Sequence, residues 1–386
     1  MKALVYRAGQ GTPQLEDIDI DEPRTDEVLV SVEAAGVCHS DLQFMETREQ
    51  DAARGLYALY SAKLDHRQQP GIAERRQEER EAGALVMGHE PAGTVIAVGA
   101  GVRSLSAGDR VMGIGMSHCG RCRQCLLGRA HLCTALPRRH PDDAPRLSRA
   151  GERITQFANV GAFAEQILVH ETSLVKIGDD VPAASAAILG CCVATGVGSA
   201  LNTAQVRPDS SVAVFGTGGI GMSVLQGARI AGAGLIVAVE PAPGKRELAR
   251  KLGATHTIDP TNEDPVEAII ELTDGLGVDY AFETASTDSV AGQAYACLGL
   301  RGCLTCLSAV PPDVRTLVGA ERRVQGSYLG STRPQIDIPY YLELYRQGRL
   351  LLDEMVGAEL PPERFESVGE VLHGGEATRV VLQFTR

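Results

Sequence analysis

Apolar and polar positions alternate in short bursts over the first part of the chain. Glu27-Val-Leu-Val-Ser-Val-Glu-Ala-Ala-Gly36 has a β-rich centre, Gly93-Thr-Val-Ile-Ala-Val-Gly99 is a second such run, and Gly108-Asp-Arg-Val-Met-Gly113 reads as a turn feeding a further strand. From about residue 181 the rhythm changes. Ser211-Val-Ala-Val-Phe215 precedes a glycine cluster and a helical stretch, Gly234-Leu-Ile-Val-Ala-Val-Glu240 follows, and Leu304-Thr-Cys-Leu307 belongs to a later strand. Strands alternating with helices predict a parallel sheet covered on both faces. A helix over residues 338–347 and a last strand, Arg379-Val-Val-Leu-Gln-Phe384, are expected to rejoin the first part. The predicted class is α/β: a β-rich domain over residues 1–180, a doubly wound parallel-sheet domain over 181–324, and a return segment over 325–386.

One segment fits neither pattern. Residues 46–84 hold seven basic and eight acidic side chains, densest in Ala73-Glu-Arg-Arg-Gln-Glu-Glu-Arg-Glu-Ala82. Glu74, Glu78 and Glu81 beside Arg75, Arg76 and Arg80 predict a helix with exposed charged faces, and Leu56, Tyr57, Leu59, Tyr60 and Leu64 are its expected apolar anchor.

Composition narrows the class. A net charge of −12 argues against a nucleic-acid or anionic-membrane binder, since both need basic patches. With 44% hydrophobic and 22% charged residues the chain is globular, and with 4% aromatics and no Trp its core must be aliphatic. The uncharged run from Val181 to Val206 is long enough to span a bilayer but carries Pro, Gly, Asn and Gln, so a buried helix is expected. The opening MKALVYRAGQGTPQ lacks the apolar core of a secretory signal, and ten Cys then point to metal or free thiols in a cytoplasmic protein.

The cysteines are not scattered. Cys119-x2-Cys122-x2-Cys125-x7-Cys133 sets four thiols in one hydrophilic loop, the spacing of a closed tetrahedral structural zinc site, with Arg121, Arg123 and Arg129 to offset thiolate charge. A second constellation is the glycine run Gly216-Thr-Gly218-Gly219-Ile220-Gly221, which follows a strand and opens a helix. Its spacing suits a dinucleotide pyrophosphate at the helix N-terminus. Glu240 ends the next strand, where a carboxylate holds the ribose hydroxyls of NAD and repels the 2′-phosphate of NADP. Lys245 and Arg246 follow closely and soften that repulsion. Three further turns carry metal-capable groups: Cys38-His39-Ser40-Asp41, Gly88-His89-Glu90 and Gly190-Cys191-Cys192.

In this combination the chain resembles the zinc-dependent medium-chain alcohol dehydrogenases, through GVCHSD, GHE, the four-cysteine knuckle, LGCCVATGVGSA and FGTGGIG. The resemblance implies a GroES-like catalytic domain and a Rossmann domain with the active site in the cleft between them. It makes Cys38, His89 and Cys191 the catalytic zinc ligands, Asp41 the carboxylate orienting His89, and Glu90 the acid behind the metal. Ser40 becomes the hydroxyl that receives the substrate's proton. His39 and Arg379 become cations near the pyrophosphate, and Thr195 a neighbour of the nicotinamide. Gln43 stands where some relatives complete the proton relay with a His, and an amide does not exchange protons near neutral pH as imidazole does.

The expectation is thus an oxidoreductase with two zinc ions per chain. It moves a hydride between NAD and a small alcohol or its aldehyde or ketone, and works as a homodimer or homotetramer without nucleic-acid or membrane partners. Leu42, Met116 and Leu329 are candidates for setting pocket size. Two alternatives stay open: a zinc-free quinone or enone reductase of the same fold, and a non-catalytic zinc protein that binds a partner through residues 46–84. Cys303-x2-Cys306 is expected in a strand rather than in thiol redox chemistry, and His118 and His131 at the surface beside a knuckle that four thiolates already complete.

Overall fold

The computed structural model describes residues 1–49, 70–140, 142–374 and 378–384. The strand Glu27–Val37 organises the N-terminal half. Its first residues alternate buried and half-buried, and its last four are all buried as it passes into the interior. It pairs antiparallel with Glu90–Val98, with Gln166–His170 and, from the far end of the chain, with Arg379–Gln383. Register matters here, because Gly36 lies opposite Glu90 and Val37 opposite Val380. The residues just beyond those pairs, Cys38, His89 and Arg379, therefore arrive at one end of the sheet. A second sheet, of six strands, runs from Gln14–Asp17 through Lys2–Tyr6, Leu85–Val86, Glu152–Gln156 and Leu147–Arg149 to Asp19–Ile20. Val28, Val30, Val32, Val95, Ile167 and Phe163 fill the core of this half.

The second half is a parallel sheet in the order His256–Ile258, Leu235–Val239, Ser211–Phe215, Val278–Glu283, Leu298–Cys306, Arg323–Gly326. Its central strands are mostly buried, Val212–Phe215 and Tyr280–Glu283 among them, because helices cover both faces. The strand order reverses beside Ser211–Phe215, so the crevice beyond the carboxyl ends opens at the glycine run. The apolar helix Ala183–Thr203 is long enough to cross a membrane by length and composition, yet 94% of its most apolar 18-residue stretch is buried within the protein. There it joins the two halves: Ile188, Leu189 and Val193 share one core cluster with Ala34, Ala92 and Met112 on one side and Val214, Met222 and Leu225 on the other.

The charged segment departs from expectation. Residues 70–81 do form a helix, Pro70–Glu81, but its charges do not all face water. Ile72, Arg75, Arg76 and Glu79 fall at i, i+3, i+4 and i+7, one stripe of the helix, and are 3%, 8%, 5% and 0% exposed. Glu74 and Glu78 point outward and pair with Arg138, the Glu78 contact being 3.1 Å. Within this stripe Glu79 Oε1 accepts the Ala158 N–H at 2.8 Å and lies 3.3 Å from Arg75 Nε. The expected anchor, Leu56, Tyr57, Leu59, Tyr60 and Leu64, lies outside the described residues.

A buried ion cluster ties the chain after the knuckle to the start of the central strand. Glu27, 5% exposed, accepts from Arg139 Nη2 at 2.6 Å and from Arg146 Nε at 2.7 Å. Burial alone would raise its carboxyl pKa, but Arg139 and Arg146 outweigh burial and hold it down to about 2, against 4.5 for an ordinary Glu. Because the folded-state value is the lower one, this stabilisation is complete above about pH 4.5 and is lost as the pH falls towards 2. Glu27→Gln is expected to lower the unfolding free energy at neutral pH by on the order of 2–3 kcal/mol. Urea unfolding across pH checks this: the difference should shrink below about pH 4.5 and the two proteins converge only towards pH 2, and a pH-independent difference would refute the assignment.

Candidate active site and metal centres

Cys38, His89 and Cys191 meet at the junction of the two halves. Cys38 directly follows the central strand, His89 precedes the strand paired with it, and Cys191 projects from a π-helical turn, Leu189–Val193. Such turns interrupt α-helices mostly at functional sites. Gly190 is required there, because a Cβ on it would lie 2.0 Å from the Gly113 carbonyl oxygen. The donor atoms of Cys38, His89, Glu90 and Cys191 all lie within 4.8 Å of one another. The Cys38 and Cys191 sulfurs are 3.8 Å apart, and a tetrahedron with zinc–sulfur bonds of about 2.3 Å has an edge of about 3.8 Å. The donor set and its spacing therefore fit zinc.

Asp41 braces two of these groups. Its Oδ2 accepts the Cys38 backbone N–H at 3.0 Å, and its Oδ1 is 3.1 Å from His89 Nδ1. With Nδ1 donating to the carboxylate, Nε2 is the nitrogen left to face the sulfurs. Burial opposes charge on the His89 imidazole, but Asp41 outweighs burial and raises its pKa well above the ordinary value. The Cys38 thiol is pulled well below its ordinary value, chiefly by its hydrogen bond to Cys191 and then, against burial, by His89. Behind them Glu90 Oε2 accepts from Arg379 Nη2, while Glu90 Oε1 is buried with no hydrogen-bond partner.

The four knuckle cysteines form the second cluster, with sulfur–sulfur distances of 3.5 Å for Cys122–Cys125, 3.6 Å for Cys119–Cys133 and 3.9 Å for Cys122–Cys133. These are again near the tetrahedral edge for zinc. The Cys119 and Cys122 backbone N–H groups donate to the Cys133 and Cys119 sulfurs at 3.3 Å. Hydrogen bonds from the Cys125 and Thr134 backbone outweigh burial at Cys122 and hold its thiol down to about 5. His118 and His131 were expected at the surface, but His118 is half-buried and His131 is 7% exposed, its pKa pushed down by burial to about 4.

A cleft of about 490 Å³ joins the first cluster to the glycine run, a size suited to a small molecule. It gathers His39, Ser40, Thr195, Gly218, Gly219, Ile220, Gly221, Lys245 and Arg379 around Cys38, His89 and Cys191. The glycine loop fits a pyrophosphate. Gly216 has φ +88°, and a Cβ on Gly221 would lie 2.0 Å from the Gly216 carbonyl oxygen. A Cβ on Gly218, by contrast, would meet no protein atom within 4 Å, which leaves its backbone open to a ligand. Glu240 stands behind the loop rather than on the cleft wall. Its Oε2 accepts the Thr217 N–H and hydroxyl, both at 2.9 Å, and its Oε1 the Ala242 N–H at 3.0 Å. Of the residues named for pocket size, Leu42 and Leu329 line the cleft, whereas Met116 does not. Sequence reasoning missed Arg75 and Arg76 as lining residues, together with Phe157 and Thr378. The signal for the arginines was there, in the i, i+3, i+4, i+7 spacing with Ile72 and Glu79.

Comparison with known proteins agrees with this geometry. Residues 24–179 match the model of the alcohol dehydrogenase GroES-like domain, and residues 219–347 that of the zinc-binding dehydrogenase. The chain is 32% identical to an S-(hydroxymethyl)glutathione dehydrogenase of Synechocystis sp., with 99% of both chains covered. It is 33% identical to an NDMA-dependent alcohol dehydrogenase of Amycolatopsis methanolica, with 99% and 98% covered. Among solved structures, benzyl alcohol dehydrogenase from Acinetobacter calcoaceticus superposes with a TM-score of 0.83 at 29% identity, covering 100% of this chain and 99% of that one. The matches span both halves of the fold, and the chain belongs to the zinc-dependent medium-chain alcohol dehydrogenase family.

Proposed function

We propose that this zinc- and NAD-dependent alcohol oxidoreductase works in the cleft between its halves, with Cys38, His89 and Cys191 as catalytic zinc ligands and Cys119, Cys122, Cys125 and Cys133 as a structural zinc site. The observation that carries this reading is the convergence of the three donors and the glycine loop on one cavity. When bound, the metal supplies a Lewis acid for the substrate oxygen and the nicotinamide a hydride acceptor. The chain's own groups do the rest. Asp41 fixes the His89 tautomer. Ser40, half-buried on the cleft wall next to Cys38, takes the hydroxyl proton and passes it to water, since Gln43 cannot relay it. Arg379, fully charged against Glu90 and packed on Gly219, draws the pyrophosphate onto the loop, with His39 and Lys245 nearby. Thr195 walls the nicotinamide end. The domain limits of 1–180, 181–324 and 325–386, a cytoplasmic location and a homodimer or homotetramer are part of the same proposal.

The test is metal analysis with an alcohol panel followed by NADH absorbance. Two zinc ions per chain and NADH formation are expected, and a fully zinc-loaded protein that oxidises no alcohol would overturn the reading. Cofactor choice gives a finer check on Glu240. Glu240→Gln removes the charge that repels a 2′-phosphate while keeping an acceptor for Thr217, so the NAD-over-NADP ratio of kcat/KM should fall by about tenfold, the effect of one charge-assisted contact. An unchanged ratio would confine Glu240 to bracing the loop.

A further inference from the structure

The helix Ala183–Thr203 has a second π-helical turn, Ser199–Thr203, besides the one that carries Cys191. Such turns are frequent at functional sites. Here Ser199 and Thr203 meet the segment that leaves the last strand of the parallel sheet, Arg323–Gly326, and four hydroxyls form one chain. Ser199 Oγ donates to the Thr195 carbonyl at 2.6 Å. Ser327 Oγ lies 2.8 Å from Ser199 Oγ and 2.9 Å from Thr203 Oγ1, and Thr203 Oγ1 lies 2.8 Å from Ser331 Oγ. A hydroxyl has one proton to give. Ser199 gives its own to the carbonyl, so Ser327 donates to Ser199, Thr203 to Ser327 and Ser331 to Thr203. The chain therefore runs one way, from Ser331 to Thr195, and each bond polarises the next. Ser199 is 0% and Ser327 6% exposed, so removing a member leaves its neighbours' polar atoms unpaired in the interior.

What the chain holds is strained. Leu329, Gly330 and Ser331 take φ +48°, +62° and +51°, three successive left-handed residues of which two carry a Cβ. The helix grips this turn closely. Thr203 holds Ser331, Thr332 Oγ1 donates to the Ala194 carbonyl at 3.1 Å, and a Cβ on Gly330 would lie 2.2 Å from the Ala194 carbonyl oxygen. Ser327, Tyr328 and Leu329 line the cleft together with Thr195 and Cys191. One part of the cleft wall thus comes from the parallel-sheet half and another from the helix that carries a proposed zinc ligand, and the hydroxyl chain fastens the two together.

We propose that Thr203 and Ser327 are positioning residues for hydride transfer, holding the cleft wall Ser327–Leu329 in register with Thr195 and Cys191. This rests on the alcohol dehydrogenase reading above and adds to it a residue, Thr203, that does not itself line the cleft and acts through Ser327. The glycine loop holds the pyrophosphate independently, so the hydroxyl chain governs the nicotinamide end alone. Hydride transfer is steep in distance, and a displacement of about 1 Å costs up to about a hundredfold in rate. A wall fastened to the ligand-bearing helix keeps that distance.

Thr203→Val removes the hydroxyl at nearly constant shape, Thr203→Ser keeps it, and Ser327→Ala breaks the chain at a second point. Calorimetric titration of each zinc-loaded protein with NADH and with ADP-ribose, which lacks the nicotinamide, reads the effect without turnover. Thr203→Val and Ser327→Ala should weaken NADH by about tenfold, the effect of one buried group left unpaired, and leave ADP-ribose within about twofold. Stopped-flow measurement of the first turnover, with NAD and the alcohol that the wild type oxidises fastest, separates rate from amplitude. The rate should fall by about tenfold to a hundredfold at unchanged amplitude per zinc-loaded chain, and Thr203→Ser should recover most of it. A merely structural role would lower the amplitude by leaving fewer intact sites, and would weaken both nucleotides alike. Either result overturns the proposal, as does a Thr203→Val protein that matches the wild type in both measurements. Should zinc content and melting temperature show that Thr203→Val does not fold, Ser327→Ala decides by the same readings. A wild-type protein that binds NADH but oxidises no alcohol overturns the dehydrogenase reading instead, and the contrast between NADH and ADP-ribose then decides the role of the hydroxyl chain alone.

Discussion

Cys38→Ser is expected to abolish alcohol oxidation, by about a thousandfold or more, while the protein still folds and keeps one of its two zinc ions. The size follows from position. In the proposed site Cys38 is one of three donors, so the substitution removes a ligand directly, while the backbone N–H that Asp41 accepts stays in place. Removing a partner that merely orients a ligand already costs about 10–100-fold, which sets a floor below the expected loss and is the range expected for Asp41→Asn. The fold should tolerate the change, because Cys38 sits at the end of a strand already held by Glu90–Val98 and Arg379–Gln383. The measurements are zinc per chain, melting temperature and NADH formation on the alcohol panel. Full activity with one zinc per chain would remove Cys38 from the metal site.

How much of this was readable beforehand varies with the range of the interaction. Ser211–Phe215 and its glycine run were legible because apolar central strands and phosphate-cradling glycines are local in sequence. The knuckle was legible for the same reason: four thiols in one loop need no long-range closure. The proposed metal donors lie 51 and 102 positions apart, and no local rule brings Cys38, His89 and Cys191 together. Only the resemblance did so, and the strand register Gly36–Glu90 is what does it physically. Arg75 and Arg76 were misread for an instructive reason. A run of charged residues ordinarily marks a solvated helix, and that rule weighs composition while ignoring the helical stripe. Here Glu79 and the Ala158 N–H satisfy one another in the interior, which lets a charged stripe turn inward. Glu240 is read from the sequence as a ribose ligand, whereas the structure shows its carboxylate anchoring Thr217 and Ala242, a role invisible without the loop's conformation.

Cys122→Ser should show the opposite pattern to Cys38→Ser: a clear loss of stability with the catalytic zinc retained. The knuckle has little apolar support of its own. Among its cysteines only Cys133 is buried, and Leu126 and Leu127 are 74% and 51% exposed. A metal bound by thiolates is then the main thing that can hold the loop, and such binding contributes directly to folding. The loop's consequences extend past residue 133. Leu136 abuts Gly71 of the helix Pro70–Glu81, Arg138 pairs with Glu74 and Glu78, and Arg139 and Arg146 grip Glu27 at the start of the central strand. Releasing the knuckle loosens both attachments. A destabilisation on the order of 3–5 kcal/mol should lower the melting temperature by roughly 6–15 °C, given about 2–3 °C per kcal/mol for a chain of this size. Limited proteolysis should cut first within residues 117–140, and KM should rise more than kcat falls, because the helix carrying Arg75 and Arg76 loses its outer anchor before the zinc ligands move. Calorimetry, zinc content and steady-state kinetics read these out together. A variant that melts with the wild type would show that the knuckle metal does not hold this loop. A variant that loses kcat alone would show that the knuckle acts on the chemistry and not, as the contacts through Arg138 require, on the wall of the cleft.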